Sequence, residues 1–182
     1  MQLSRKALNA RWAWTSAAAV AVLAVLISLD AVLRDKTGYG TADLQGVRGA
    51  WGVRVILDHW ASPPDSALAG FALGLDYLFM PLYASALYFG AIASRERFAP
   101  KPSRTRRILE FLAVAPIAGA LCDACENGLQ LIMLTHGPNS ALALLTVEAT
   151  AVKYVGIFVG LALSLAAAVG FFFGRKEEEA EK

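Results

Sequence analysis

The chain has 182 residues, 57% of them hydrophobic and only 18% charged, with a mean hydropathy of +0.49 and a formal net charge of +2. A soluble domain of this size covers itself with Lys, Glu, Asp and Arg, whereas here the charges gather in short segments between long apolar runs, so an integral membrane protein is predicted. The same figures exclude a disordered chain, a disulfide scaffold, a coiled coil and a nucleic-acid binder, the last for want of a basic face.

The first predicted span, 12–30, is uncharged from Trp12 to Leu29. At ~1.5 Å per residue it covers most of a ~30 Å hydrocarbon core. Arg5, Lys6 and Arg11 before it resemble the start of a signal peptide, but no small-x-small cleavage site follows ahead of Asp30 and Arg34, and a retained helix is expected. In the outer segment, 31–66, Leu44, Val47, Trp51 and Val55 recur at helical spacing. That pattern predicts an amphipathic interfacial helix from Leu44 to Trp60, weakened by Gly49 and Gly52 at about 1 kcal/mol each relative to Ala. Ser62-Pro63-Pro64-Asp65 ends it and opens the second span, with Asp65 or Ser66 as the expected N-cap.

Three further spans are predicted at 67–93, 108–134 and 141–173, followed by a solvated tail, 174–182. Gly137-Pro138-Asn139-Ser140 is a turn composition that makes the last two spans a tight antiparallel hairpin. Pro81 and Pro116 each remove a backbone donor and are expected to kink their helices. Gly70/Gly74 and Gly156/Gly160 are spaced for close helix approach. The resulting fold class is all-α: one membrane domain, a four-helix transmembrane bundle with an amphipathic interfacial helix between the first and second spans.

Basic residues set the direction of insertion. Arg5, Lys6 and Arg11 precede the first span, Arg95, Arg97, Lys101, Arg104, Arg106 and Arg107 lie between the second and third, and Arg175, Lys176 and Lys182 end the chain. The opposite side holds Arg34, Lys36, Arg48 and Arg54. A multi-pass protein of the cell membrane with both termini cytoplasmic follows. Trp12, Trp14, Trp51, Trp60 and Phe171 to Phe173 are placed for interfacial anchoring.

The informative residues are ionisable groups inside the spans: Asp76, Asp123, Glu126 and Lys153. Each costs about 2.5–3.5 kcal/mol at a helix centre and is expected to face the bundle interior, in the outer half of the bilayer. Asp123, Glu126, Asn127 and Gln130 form one stripe, while Thr146, Thr150, Lys153, Gly160 and Ser164 form a small polar face on the next helix. On the second helix Asp76 and Tyr83 are nearly superposed. Three carboxylates face one Lys, so either protons are held on the acids or a cation is bound. The candidate ligand-binding set is Asp76, Tyr83, Asp123, Glu126, Asn127, Gln130 and Lys153.

Cys122 and Cys125 form a C-x-x-C on the third helix, similar to the helix-borne pair of the vitamin K epoxide reductase family. That family carries a second, relaying pair, and this chain has no other cysteine, so small packing residues are the simpler reading. Glu126 and His136 are ten residues apart, about 15 Å along a helix, too far to share an ion. No metal and no cofactor are expected, and no nucleophile-bearing or nucleotide-binding motif is present.

Leu75-Asp76-Tyr77-Leu78-Phe79-Met80-Pro81-Leu82-Tyr83, Gly119-Ala120-Leu121-Cys122-Asp123-Ala124-Cys125-Glu126-Asn127 and Gly38-Tyr39-Gly40-Thr41-Ala42-Asp43-Leu44 resemble the motifs of a family of uncharacterised four-span integral membrane proteins of the bacterial inner membrane. The resemblance implies the architecture and no activity. The leading functional expectation is an outer-leaflet polar pocket within the bundle, suited to a lipid or small amphiphile. An intramembrane enzyme using Asp123 or Glu126 as acid or base, and a structural accessory subunit, are the rivals. Four spans without an inverted repeat would need a homo-oligomer to transport anything.

Overall fold

A computed structural model describes residues 4–180, with side chains through Gly170. The elements in chain order are α1 (Arg5–Thr37), a 3-10 turn (Thr41–Gly46), α2 (Ala50–His59), α3 (Pro63–Phe98), α4 (Arg104–Leu112), α5 (Ala115–His136) and α6 (Ser140–Ala180). The described residues contain no strand, and the four long helical segments, α1, α3, α4 with α5, and α6, are each long and apolar enough to cross a membrane. The protein is an all-α four-helix bundle of integral-membrane type. α1 packs against α3, and α3, α5 and α6 pack mutually around a polar interior. The Phe171 to Phe173 anchors and the acidic tail side chains lie outside the described residues.

The helices outrun the predicted spans because their ends are capped in polar surroundings rather than at the edge of the apolar run. Ser4 starts α1 by accepting from the Ala7 N–H at 3.2 Å. Gly38, at φ +83°, ends it in the left-handed conformation and donates to the Arg34 carbonyl at 2.8 Å. α3 opens three positions earlier than an N-cap at Asp65 would allow and four earlier than one at Ser66: Ser62 is the N-cap, and Pro63 and Pro64 occupy the first turn, where no N–H is needed. Its carbonyl accepts from the Asp65 and Ser66 N–H groups, both at 3.0 Å.

The outer segment departs from the expected helix. A 3-10 turn and a ten-residue α-helix replace one helix from Leu44 to Trp60, because the backbone is extended at Val47 and again at Gly49. The break resets the helical phase. Val53, Ile56 and Trp60 are buried, while Trp51 is 80% exposed. With Leu33, Leu44, Ala69, Met133 and Ala143 they form an apolar plug where the end of α1, the start of α3, the end of α5 and the start of α6 meet, the end of the bundle expected to face outward. Trp60 is therefore no lipid anchor: it is 1% exposed and its indole N–H donates to the Tyr39 carbonyl at 3.0 Å.

The Gly38 to Leu44 motif has a physical reading in this cap. Asp30, on α1, accepts from the Thr41 hydroxyl at 2.9 Å and the Ala42 N–H at 3.2 Å. A side chain at Gly40 would collide with the Asp30 carboxylate, which could make room only by giving up these hydrogen bonds. Asp43 accepts from the Gly40 N–H at 2.8 Å and pairs with Arg34 at 3.0 Å, while Leu44 is fully buried beneath them.

The third crossing is interrupted rather than kinked. α4 ends at Leu112, and α5 restarts at Ala115 with Pro116 in its first turn. Pro116 has no N–H for the Leu112 carbonyl, and the backbone bridges the gap with Val114 N–H to Phe111 at 3.2 Å and Ile117 N–H to Val114 at 3.0 Å. α3, in contrast, continues through Pro81 as one helix. At the hairpin, Gly137 has φ +95°, and Asn139 accepts from the Ala141 and Leu142 N–H groups at 2.9 and 3.2 Å to cap α6.

Helix approach is closest along the hairpin. A Cβ on Gly156 would stand 2.9 Å from Gly119 Cα, and one on Gly119 would stand 3.0 Å from the Lys153 carbonyl. Gly160 is equally crowded, by Pro116 and Leu87. The Gly70/Gly74 pair is not a seam: Gly70 meets only a Leu134 methyl at 3.6 Å, and Gly74 meets nothing within 4 Å. Those two positions have space that the expected close approach would have filled.

Candidate functional site

α5 carries Asp123, Glu126, Asn127 and Gln130 inward, all at most 2% exposed. α6 answers with Thr146, Thr150 and Lys153, all buried. The antiparallel hairpin explains the register. Asp123 and Lys153 lie fifteen residues either side of Pro138, Glu126 and Thr150 twelve, and Gln130 and Thr146 eight. Equal rise on the two helices brings each pair to one depth.

Lys153 Nζ lies 3.0 Å from Asp123 Oδ1 and 3.0 Å from Glu126 Oε2, bridging both acids. The Thr150 hydroxyl donates to Glu126 Oε2 at 2.7 Å, and the Gln130 amide donates to Glu126 Oε1 at 3.2 Å. From α3, the Tyr83 hydroxyl donates to Asp123 Oδ2 at 3.1 Å. Charge-assisted bonds of this kind are shorter and stronger than neutral ones, and in a dry interior an unpaired member would be costly.

Asp76 stands apart from the ion pair. It is half-buried, its carboxylate accepts from the Asn127 amide at 2.8 Å, and the same amide donates to the Leu73 carbonyl at 3.3 Å. Beside it Tyr77 is exposed and donates to the Ala124 carbonyl at 2.9 Å, closing the α3 to α5 seam. Asp76 lies thirteen residues into α3 and Asp123 thirteen before the end of α5, so at ~1.5 Å per residue the layer sits about 20 Å from the outer helix ends.

Two buried acceptors have no donor: Asn127 Oδ1 and Gln130 Oε1. Turning either amide over does not help. Gln130 would then aim its oxygen at Glu126, and Asn127 would aim its oxygen at Asp76 and the Leu73 carbonyl. The layer thus holds three carboxylates, one ammonium and two unsatisfied amide oxygens: it is short of donors.

Gly119, which opens the third-helix motif, lets Lys153 approach α5, whereas Glu148, an exposed carboxylate on α6, was not singled out by sequence reasoning. The small partner of Gly119 at four-residue spacing is Ala115, which a reading confined to glycine pairs passes over. Cys122 is partly buried, Cys125 is exposed, and both are free thiols. His136 is exposed at the outer turn, hydrogen-bonded to Thr135 at 2.8 Å. Comparisons with protein-family models, curated proteins and solved structures gave no match for this chain.

Proposed function

We propose that this membrane protein binds the polar head of a lipid or small amphiphile in the layer formed by α3, α5 and α6, with Asp76 at its lipid-facing side and Asp123, Glu126, Asn127, Gln130 and Lys153 behind it. The observation that carries the reading is the donor shortage. Buried acceptors left unpaired cost about 1–3 kcal/mol each, and a head group bearing hydroxyl or ammonium donors would satisfy them. Asp76 favours the same class of head, because its side-chain partner is a neutral amide while the one ammonium of the layer is held by Asp123 and Glu126. The outer plug gives such a site a roof, leaving the bilayer as the route in. The motif resemblance adds the four-span bacterial architecture to this proposal and no activity.

Native mass spectrometry of the protein purified in mild detergent, with extraction of bound lipid, tests it. A defined co-purifying amphiphile with a donor-bearing head is expected, and Gln130→Leu and Asp76→Asn should each reduce its occupancy. Protein that emerges bare, with a thermal midpoint unchanged by exhaustive delipidation, would sink the proposal in favour of a purely structural polar layer.

A further inference from the structure

At the other end of the bundle, α4 is attached by its charged face. Arg106 pairs with Glu96 at 3.0 Å and Glu110 at 3.2 Å, and Arg95 pairs with Glu96 and, at 3.2 Å, with Glu110. Arg106 also donates to the Ala99 carbonyl at 3.1 Å. This network holds α4 against the end of α3 and leaves no residue of α4 buried. The opposite face is therefore turned out. On it Arg104, Arg107, Ile108 and Phe111 fall at i, i+3, i+4 and i+7, one continuous stripe. Phe111 is 79% exposed and Ile108 49%, while Arg104 and Arg107 are exposed and take no part in the ion pairs among the described residues.

The order along this stripe is chemical. The two guanidiniums occupy the turn nearest the link to α3, and the apolar pair occupies the next turn toward the spans. An open groove of about 530 Å³ runs alongside, lined by Pro102, Ser103, Arg104, Arg106, Arg107 and Glu110. Cationic groups at head-group level with large apolar groups one turn deeper complement an anionic phospholipid, whose charge and chains come in the same order.

We propose that this face holds one anionic phospholipid of the adjoining leaflet, its phosphate between Arg104 and Arg107 and its chains along Ile108 and Phe111. Arg106 is not a ligand, because its guanidinium is committed to Glu96 and Glu110. The site is independent of the polar layer formed by α3, α5 and α6. Guanidinium forks match phosphate oxygens in pairs, which gives the face more selectivity than the diffuse attraction of any basic loop.

The test is titration of the delipidated full chain in detergent with phosphatidylglycerol or phosphatidylcholine, read by native mass spectrometry. One phosphatidylglycerol should bind at least tenfold more tightly than phosphatidylcholine. Arg104→Gln with Arg107→Gln should abolish that preference, whereas Arg5→Gln with Lys6→Gln, which removes the same charge at the start of α1, should keep it. Arg104→Lys with Arg107→Lys controls for folding and should retain part of the preference. Equal loss in the two glutamine doubles would mean diffuse attraction and overturn the site. So would soluble glycerol phosphate binding as tightly as the lipid, since the apolar half of the stripe would then contribute nothing.

Discussion

Lys153 carries the electrostatic balance of the interior, since it alone offsets Asp123 and Glu126 at 3.0 Å each. Lys153→Met leaves both carboxylates buried without a cation, a change that typically costs about 3–5 kcal/mol. The thermal midpoint in detergent should fall accordingly, and Lys153→Met combined with Glu126→Gln should recover much of the loss. Combined with Asp76→Asn it should be close to additive, because Asp76 is bonded to Asn127 instead. Recovery by Asp76→Asn alone would show that the ion pair is assigned to the wrong acid. The clustering of Asp76, Asp123, Glu126 and Lys153 was legible in the sequence, but which acid faces Lys153 stayed open among the three, and the equal fifteen-residue offsets of Asp123 and Lys153 from Pro138 select Asp123 only once the hairpin is seen. The partner of Asp76 was not legible, since the rotation of α3 against the hairpin depends on packing along its whole length.

Apolar periodicity exposed the four long helices because each must bury or solvate a continuous face in lipid. It failed in the outer segment, where Gly49 resets the phase, so that Trp51 faces out and Val53, Ile56 and Trp60 face in. The glycine pairs show the same division. Spacing of four marks where approach is permitted, and only the neighbour decides whether it happens. Gly156→Ala would place a methyl 2.9 Å from Gly119 Cα and should destabilise the hairpin by about 1–3 kcal/mol through overpacking. Gly74→Ala meets nothing within 4 Å and should be neutral or raise stability by up to about 1 kcal/mol from helix propensity. Thermal midpoints of the two variants check this. Equal losses would mean that Gly74 also lies at a helix contact.

For the molecule as a whole, the four helices long and apolar enough to cross a membrane would put both termini on one side if each crosses, and the basic residues predict which side. Twelve Lys and Arg lie at the start of α1, in the α3 to α4 region and in the tail, against four from the end of α1 through α2. The fold strengthens that asymmetry locally, because Arg95 and Arg106 are clamped by Glu96 and Glu110 while Arg97, Lys101, Arg104 and Arg107 are free of those pairs. Translocating this end would carry those charges through the bilayer, whereas Arg34, at the opposite end of the bundle, is already matched by Asp43. The expected arrangement has the α2 plug and the His136 turn outside. Single cysteines at two exposed positions, Asp58→Cys in the plug and Lys101→Cys beside α4, decide it on a background in which the free Cys122 and Cys125 are replaced. An impermeant maleimide should label Asp58→Cys in intact cells and Lys101→Cys only after permeabilisation. The reverse pattern would invert the topology, and labelling of both from outside would mean that the α3 crossing between them does not span the membrane.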